Sequence, residues 1–135
     1  MKWDAIAPIV VEILFIFCCL REPQATKKQK GFPIINHGNV KRDDLGKIYS
    51  AAEYLVYPSL SESFGLGLLE AIDNNCKIIG ADLPYTYAVC NPSLVFDPNE
   101  VDSIVSSLSL SLENNVKDSS SKVNNNINKL IELLQ

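Results

Sequence analysis

The sequence is poor in what a metal or a nucleic acid would need. It holds one histidine, His37, and four cysteines, Cys18, Cys19, Cys76 and Cys90, with no Cys-x-x-Cys spacing among them, which argues against a zinc site. Lys and Arg number 12 against 16 Asp and Glu, for a formal net charge of -4. Affinity for a phosphate backbone rests on clustered cations, so nucleic acid is not expected as a partner. No apolar run reaches the roughly 20 residues that cross a bilayer. Ala5 to Leu20 comes nearest, but Pro8 and Glu12 interrupt it, and Lys2 alone makes a poor leader. It reads as a buried strand around Ile13 to Cys18, with a membrane anchor as the alternative. The one Asn-x-Ser sequence, at Asn91, is blocked by Pro92. Internal repeats are also absent. The adjacent Cys18 and Cys19 sit in an apolar run, as small buried thiols of a reducing compartment would.

What remains is ordinary globular material. The chain has 135 residues, 47% of them hydrophobic and 21% charged, enough for one domain with a buried core. Short β-prone runs alternate with helical patterns. Arg21 to Gly31 is polar, and its Lys27, Lys28 and Lys30 suit a solvated loop or a diphosphate contact. Phe32 to Ile35 is a brief strand ending at Asn36, His37 and Gly38, where His37 is a loop residue or a cleft-lining contact. Asp43 or Asp44 then opens a helix with Leu45, Ile48, Tyr49 and Ala52 on one face. Further strands are predicted at Lys77 to Gly80 and Leu94 to Phe96, and Asn74-Asn75 ends the helix that precedes the first of them in place of the usual glycine. Val101, Ile104, Val105, Leu108 and Leu112 predict an amphipathic helix, and Ile127, Leu130, Ile131 and Leu134 a last helical stripe. The alternation predicts an α/β fold, a Rossmann-like parallel sheet with helices on both faces.

One stretch stands apart from this background. From Tyr57 to Glu70 the chain reads Tyr-Pro-Ser-Leu-Ser-Glu-Ser-Phe-Gly-Leu-Gly-Leu-Leu-Glu. Tyr54 to Tyr57 is β-prone, Pro58 stops it, Ser59 to Gly65 is turn-rich, and Leu66 resumes a helical pattern. A strand–loop–helix junction presents backbone N–H groups to an anion. Glu62 lies in the loop and Glu70 about one and a half turns into the helix, on the face of Leu66 and Gly67. Two carboxylates can thus face one cleft. Taken singly, Glu62 is equally a solvated loop acid, Glu70 a surface residue, and Phe64 and Leu66 core contacts. Gly67 carries a helix penalty of about 1 kcal/mol against Ala, which points to close packing or a ligand.

Glu62 and Glu70, with Phe64-Gly65-Leu66 between them, Glu70-Ala71 at the end and Tyr57-Pro58-Ser59 before, resemble the donor-binding segment of retaining glycosyltransferases of the GT-B group, family 4 (glycosyl transferases group 1). Flanking blocks extend the resemblance over residues 34–112. They are Gly38-Asn39-Val40, Leu45, Ile48-Tyr49 and Ala51-Ala52 upstream, and Ile78-Ile79, Asp82-Leu83-Pro84-Tyr85 and Phe96-Asp97-Pro98 downstream. The resemblance implies a nucleoside-diphosphate sugar as donor, no metal or other cofactor, and a role in polysaccharide or glycolipid synthesis. Glu70 would accept hydrogen bonds from both ribose hydroxyls. Glu62, the catalytic candidate, would lie near the donor sugar. The backbone amides of Ser63, Phe64, Gly65 and Leu66 would bind sugar hydroxyls or phosphate oxygens, with Gly65 allowing close approach.

The departures bear on what the chain does alone. The family's acceptor-binding domain is missing, as is the glycine-rich turn whose Arg and Lys neutralise the diphosphate, and Ala88 stands where the family often carries Glu. The expectation is a single partial GT-B donor-binding domain over 1–135. Residues 1–33 form its apolar strand or anchor and polar loop, and 113–135 its C-terminal helix. Such a chain would be inactive without an acceptor-binding domain or chain. The alternative is a non-catalytic binding or assembly module, tethered to a membrane through residues 5–20. An uncovered sheet edge predicts homo-dimerisation, and the setting expected is cytoplasmic, peripheral at the inner membrane face.

Overall fold

The computed structural model describes residues 13–15, 40–113 and 115–123. Phe32 to Ile35, His37, the three lysines of the polar loop, Cys18 and Cys19, and the stripe from Ile127 to Leu134 lie outside those residues.

Ten elements follow one another: β1 (Ile13–Phe15), α1 (Arg42–Ala51), β2 (Tyr54–Tyr57), α2 (Leu66–Asp73), β3 (Lys77–Ala81), α3 (Pro84–Val89), β4 (Cys90–Asn91), β5 (Leu94–Phe96), α4 (Val101–Ser111) and β6 (Ser120–Ser121). Four strands form one parallel sheet in the order β1-β2-β3-β5. β4 and β6 make a separate antiparallel pair. Of the strand expected around Ile13 to Cys18, Ile13–Phe15 is present as β1, first in the order of the described strands.

Strand composition explains the burial. All four residues of β2, Tyr-Leu-Val-Tyr, are buried, as a strand covered on both faces requires. Leu55, Tyr57 and Ile78 point to one face, where Tyr49 of α1, Leu68 and Ala71 of α2, and Val89 of α3 pack on them. Tyr54, Val56, Ile79, Ala81 and Phe96 point to the other, against Ile104 and Leu108 of α4. The sheet is thus a Rossmann-like layer with helices on both faces.

The α2–β3 turn has the shape its asparagines predict. Asn74 closes α2, and Asn75 takes the left-handed conformation at φ 61° that glycine usually fills.

The face of α4 differs from its periodicity. Val101, Val105 and Leu112 are exposed, whereas Ser107 and Ser111 are buried. Ser107 Oγ donates to the Val95 carbonyl at 2.6 Å, and Ser111 Oγ to the Leu108 carbonyl at 2.7 Å. Small hydroxyl residues bring the helix backbone close to β5 while satisfying their own polar groups. Only Ile104 and Leu108 of the apolar stripe then reach the sheet. α3 has no apolar period long enough to announce it, and it starts at Pro84, whose fixed φ suits a first helical position.

Candidate functional site

The carboxyl ends of β2, β3 and β5 open onto three loops, 58–65, 82–83 and 97–100. In parallel α/β sheets this edge is where ligands sit. Two contacts tie the loops together there. Tyr85 of α3 donates its hydroxyl to the Ser59 carbonyl at 2.7 Å, and the Asp82 amide donates to the Phe96 carbonyl at 2.7 Å.

Glu62 is partly buried within the first loop. Tyr57 donates its phenol to Glu62 Oε2, and the Ser63 amide donates to Oε1 at 2.9 Å. The carboxyl is held below the usual glutamate range by the Tyr57 hydrogen bond first, against the opposing effect of burial, with help from the Ser63, Phe64 and Gly65 amides. A carboxylate just ahead of α2 also complements the positive end of that helix. Three of the four amides expected to face a donor, those of Ser63, Phe64 and Gly65, therefore already face Glu62 in the free chain.

Gly65 makes the turn into α2. It adopts φ 61°, ψ 33°, a region costly for residues with a Cβ. An added Cβ would also fall 2.9 Å from Val89 Cγ2. Beyond it, Gly67 lies 3.3 Å from Tyr57 Cε2 and 3.5 Å from the Tyr49 hydroxyl, measured from the position its Cβ would take. The glycine expected to serve packing or a ligand thus makes room for two phenols.

Glu70 sits on α2 with about a third of its side chain exposed, 3.6 Å from the largely exposed Arg42 of α1. Such an open pair contributes little to stability, about 0–1 kcal/mol. Tyr49 lies within the field of Glu70, and its pKa is pushed up to about 12, by burial first and by Glu70 second. The two acids therefore each meet a phenol beside Gly67, Glu62 bonded to Tyr57 and Glu70 acting on Tyr49.

Phe64 and Leu66 are not core contacts. Phe64 is 76% exposed, Leu66 57% and Leu60 66%, so three large apolar side chains stand in solvent around the Glu62 loop. A cavity of about 230 Å³ lies elsewhere, lined by residues including Ser93, Leu110, Glu113 and Lys117.

Sequence reasoning passed over Tyr57, Tyr49, Tyr85 and Arg42 as site residues. For Tyr57 the signal was a tyrosine ending a strand five residues before an acid. Cys76 and Cys90 are buried free thiols. Among the described residues no cluster of His, Cys, Asp or Glu could hold a metal, and no helix is long and apolar enough to cross a membrane.

A parallel sheet covered by helices, with acids and exposed apolar groups at its carboxyl edge, defines a Rossmann-like α/β domain. The chain belongs to the glycosyl transferases group 1, whose family model matches residues 22–130. It is 38% identical over 77 residues to O-antigen chain mannosyltransferase B of Escherichia coli, covering 56% of this chain and 20% of the relative. O-antigen chain mannosyltransferase RfbU of Salmonella typhimurium is 37% identical over 62 residues, 45% of this chain and 18% of its own. The GtfA subunit of a UDP-N-acetylglucosamine–peptide N-acetylglucosaminyltransferase of Streptococcus pneumoniae is 48% identical over 42 residues, 31% of this chain and 8% of that protein. The matches thus span about a fifth or less of each relative's length. No solved structure matches the chain significantly.

Proposed function

We propose that this chain is the donor-binding part of a retaining GT-B glycosyltransferase of family 4, moving a sugar from a nucleoside diphosphate to a growing polysaccharide or glycolipid. The reading rests on one observation above the others. At the carboxyl edge of the sheet, Glu62 accepts the Tyr57 phenol, which lowers its pKa, Glu70 stays accessible on the adjoining helix, and large apolar side chains ring the loop uncovered.

Each part has a use in sugar transfer. The Glu70 carboxylate has two oxygens to accept from the two ribose hydroxyls, displacing the weak Arg42 contact. Glu62 stands at the sugar end, where its carboxylate accepts from sugar hydroxyls in exchange for amides of its own loop. The amides of Ser63, Phe64, Gly65 and Leu66 line the path between them. The exposed Leu60, Phe64 and Leu66 suit an acceptor-binding domain or chain closing over the loop.

Two of the relatives are named as mannosyltransferases, which makes a nucleoside-diphosphate mannose the first donor to test. A UDP-linked N-acetylhexosamine is the second, from the third relative's name. Titration of either into isotope-labelled chain should move the amide resonances of residues 62–70. Shifts confined to other parts of the chain, or none at millimolar donor, would refute the reading.

A further inference from the structure

We propose that Tyr57 is a positioning residue for Glu62, its phenol holding the carboxylate in one orientation at the mouth of the loop before any donor arrives. The inference rests on the reading of Glu62 as the acid beside the donor sugar.

The seat is built from four elements. Tyr57 ends β2 with only 5% of its surface exposed, so its ring is fixed by the core while its hydroxyl emerges at the sheet edge. The first turn of α2 carries Gly67, whose missing Cβ leaves space for the Tyr57 ring. Tyr49 of α1 fills the other side of that glycine, its hydroxyl 3.5 Å from the Cβ position. From α3, the Tyr85 ring meets Tyr57 edge-on at 6.5 Å between centroids and an interplanar angle of 65°. Tyr85 also bonds the Ser59 carbonyl, which pins the start of the loop that carries Glu62. With Ser63 donating to the other oxygen, the carboxylate is held at both oxygens from opposite sides.

A lone glutamate on a loop explores several rotamers, and fixing them on binding costs affinity. The phenol removes that freedom in advance. A sugar hydroxyl reaching the carboxylate would then exchange with the weaker amide contacts of Phe64 and Gly65 and leave the phenol in place. Among the described residues, the groups acting on Glu62 are neutral, the Tyr57 phenol and three backbone amides, with the Tyr85 phenol within its field.

The test is a carboxyl titration by carbon-13 NMR on the full 135-residue chain, with the Glu62 signal identified by its loss in Glu62→Gln. In Tyr57→Phe, which keeps the ring and removes the hydroxyl, the Glu62 midpoint should move up toward the ordinary glutamate range. Reciprocally, the Tyr57 Cζ shift of the parent should inflect at the Glu62 midpoint, and the inflection should vanish in Glu62→Gln. This second readout decides the matter even if Tyr57→Phe does not fold. Donor binding supplies the other arm, where Tyr57→Phe should weaken a nucleoside-diphosphate sugar about threefold to tenfold and leave the bare nucleoside diphosphate unaffected. A flat Tyr57 signal, or an unmoved Glu62 midpoint, would overturn the positioning role whatever the ligand does. Linked titrations in a chain that binds no sugar nucleotide would instead overturn the donor reading and leave the Tyr57–Glu62 coupling supported.

Discussion

Gly65→Ala tests whether the loop geometry around Glu62 is imposed by backbone conformation or merely tolerated. The position takes φ 61°, and left-handed backbone costs a residue with a Cβ about 1–2 kcal/mol. The new methyl would also sit 2.9 Å and 3.4 Å from the two γ-methyls of Val89, on a short helix packed into the core. Overpacking of that kind costs about 1–3 kcal/mol. The sum, about 2–5 kcal/mol, is a large share of a domain stability of roughly 5–15 kcal/mol. Urea unfolding followed by far-UV circular dichroism reads it directly. Val89→Ala separates the two contributions, because it removes the clash and leaves φ unchanged. Alone it should cost about 1–2.5 kcal/mol for the lost buried methyls. Combined with Gly65→Ala, it should cost less than the sum by about 1 kcal/mol or more, the signature of contact. Additivity within about 0.5 kcal/mol would refute the packing argument. A Gly65→Ala chain as stable as the parent would refute the conformational one as well.

Three further outcomes follow from other contacts. Ser119 Oγ accepts from the Ile78 amide at 2.8 Å and shares the Ser93 amide, at 3.0 Å, with the Ile78 carbonyl, so Ser119→Ala should cost about 1–3 kcal/mol, chiefly by leaving the Ile78 N–H of β3 short of an acceptor; a urea midpoint within error of the parent would contradict this. Burial pushes the Cys76 thiol up to about 11 and the Cys90 thiol upward as well, so peptide mapping after brief alkylation at neutral pH should find both unmodified, and both modified in urea. Rapid labelling of Cys76 in the folded chain would show that its burial is wrong. Glu62 is depressed from 4.5 in the folded chain, so its contribution to stability is present above that value and is lost as pH falls through the lower folded one. Glu62→Gln should flatten this part of the acid limb, and an identical acid limb in parent and variant would count against the Tyr57 contact.

Some of this architecture could be read before folding, and the reasons are local. The β2 run Tyr-Leu-Val-Tyr stopped by Pro58, the Asn74-Asn75 helix end and the spacing of Leu45, Ile48, Tyr49 and Ala52 each carry their own signal. The short elements did not. α3 covers six residues, too few for a 3.6-residue period to show. The two-residue β4–β6 pair is built by contacts between segments far apart in sequence, including Asn91 Nδ2 donating to Ser120 Oγ at 3.0 Å. For α4 the apolar period was real but misassigned its face, because Ser107 and Ser111 bury through hydrogen bonds that composition does not reveal. At the candidate site, Glu62 and Glu70 were legible as types and spacings. Their partners were not, since strand alternation marks Tyr57 as core and says nothing of how far a phenol reaches beyond it.

If Glu70 holds a nucleotide's ribose while Glu62 serves the sugar end, titrating nucleoside diphosphate against the parent, Glu70→Gln and Glu62→Gln by ligand-observed NMR should separate the two acids. Glu70→Gln keeps the shape and removes the charge assistance to two hydrogen bonds. That should cost about 1–3 kcal/mol, or roughly tenfold to a hundredfold in affinity, with Glu62→Gln close to the parent. Equal effects of the two substitutions, or no binding by the parent at millimolar nucleotide, would mean that Glu70 is a surface residue and that this chain holds no donor.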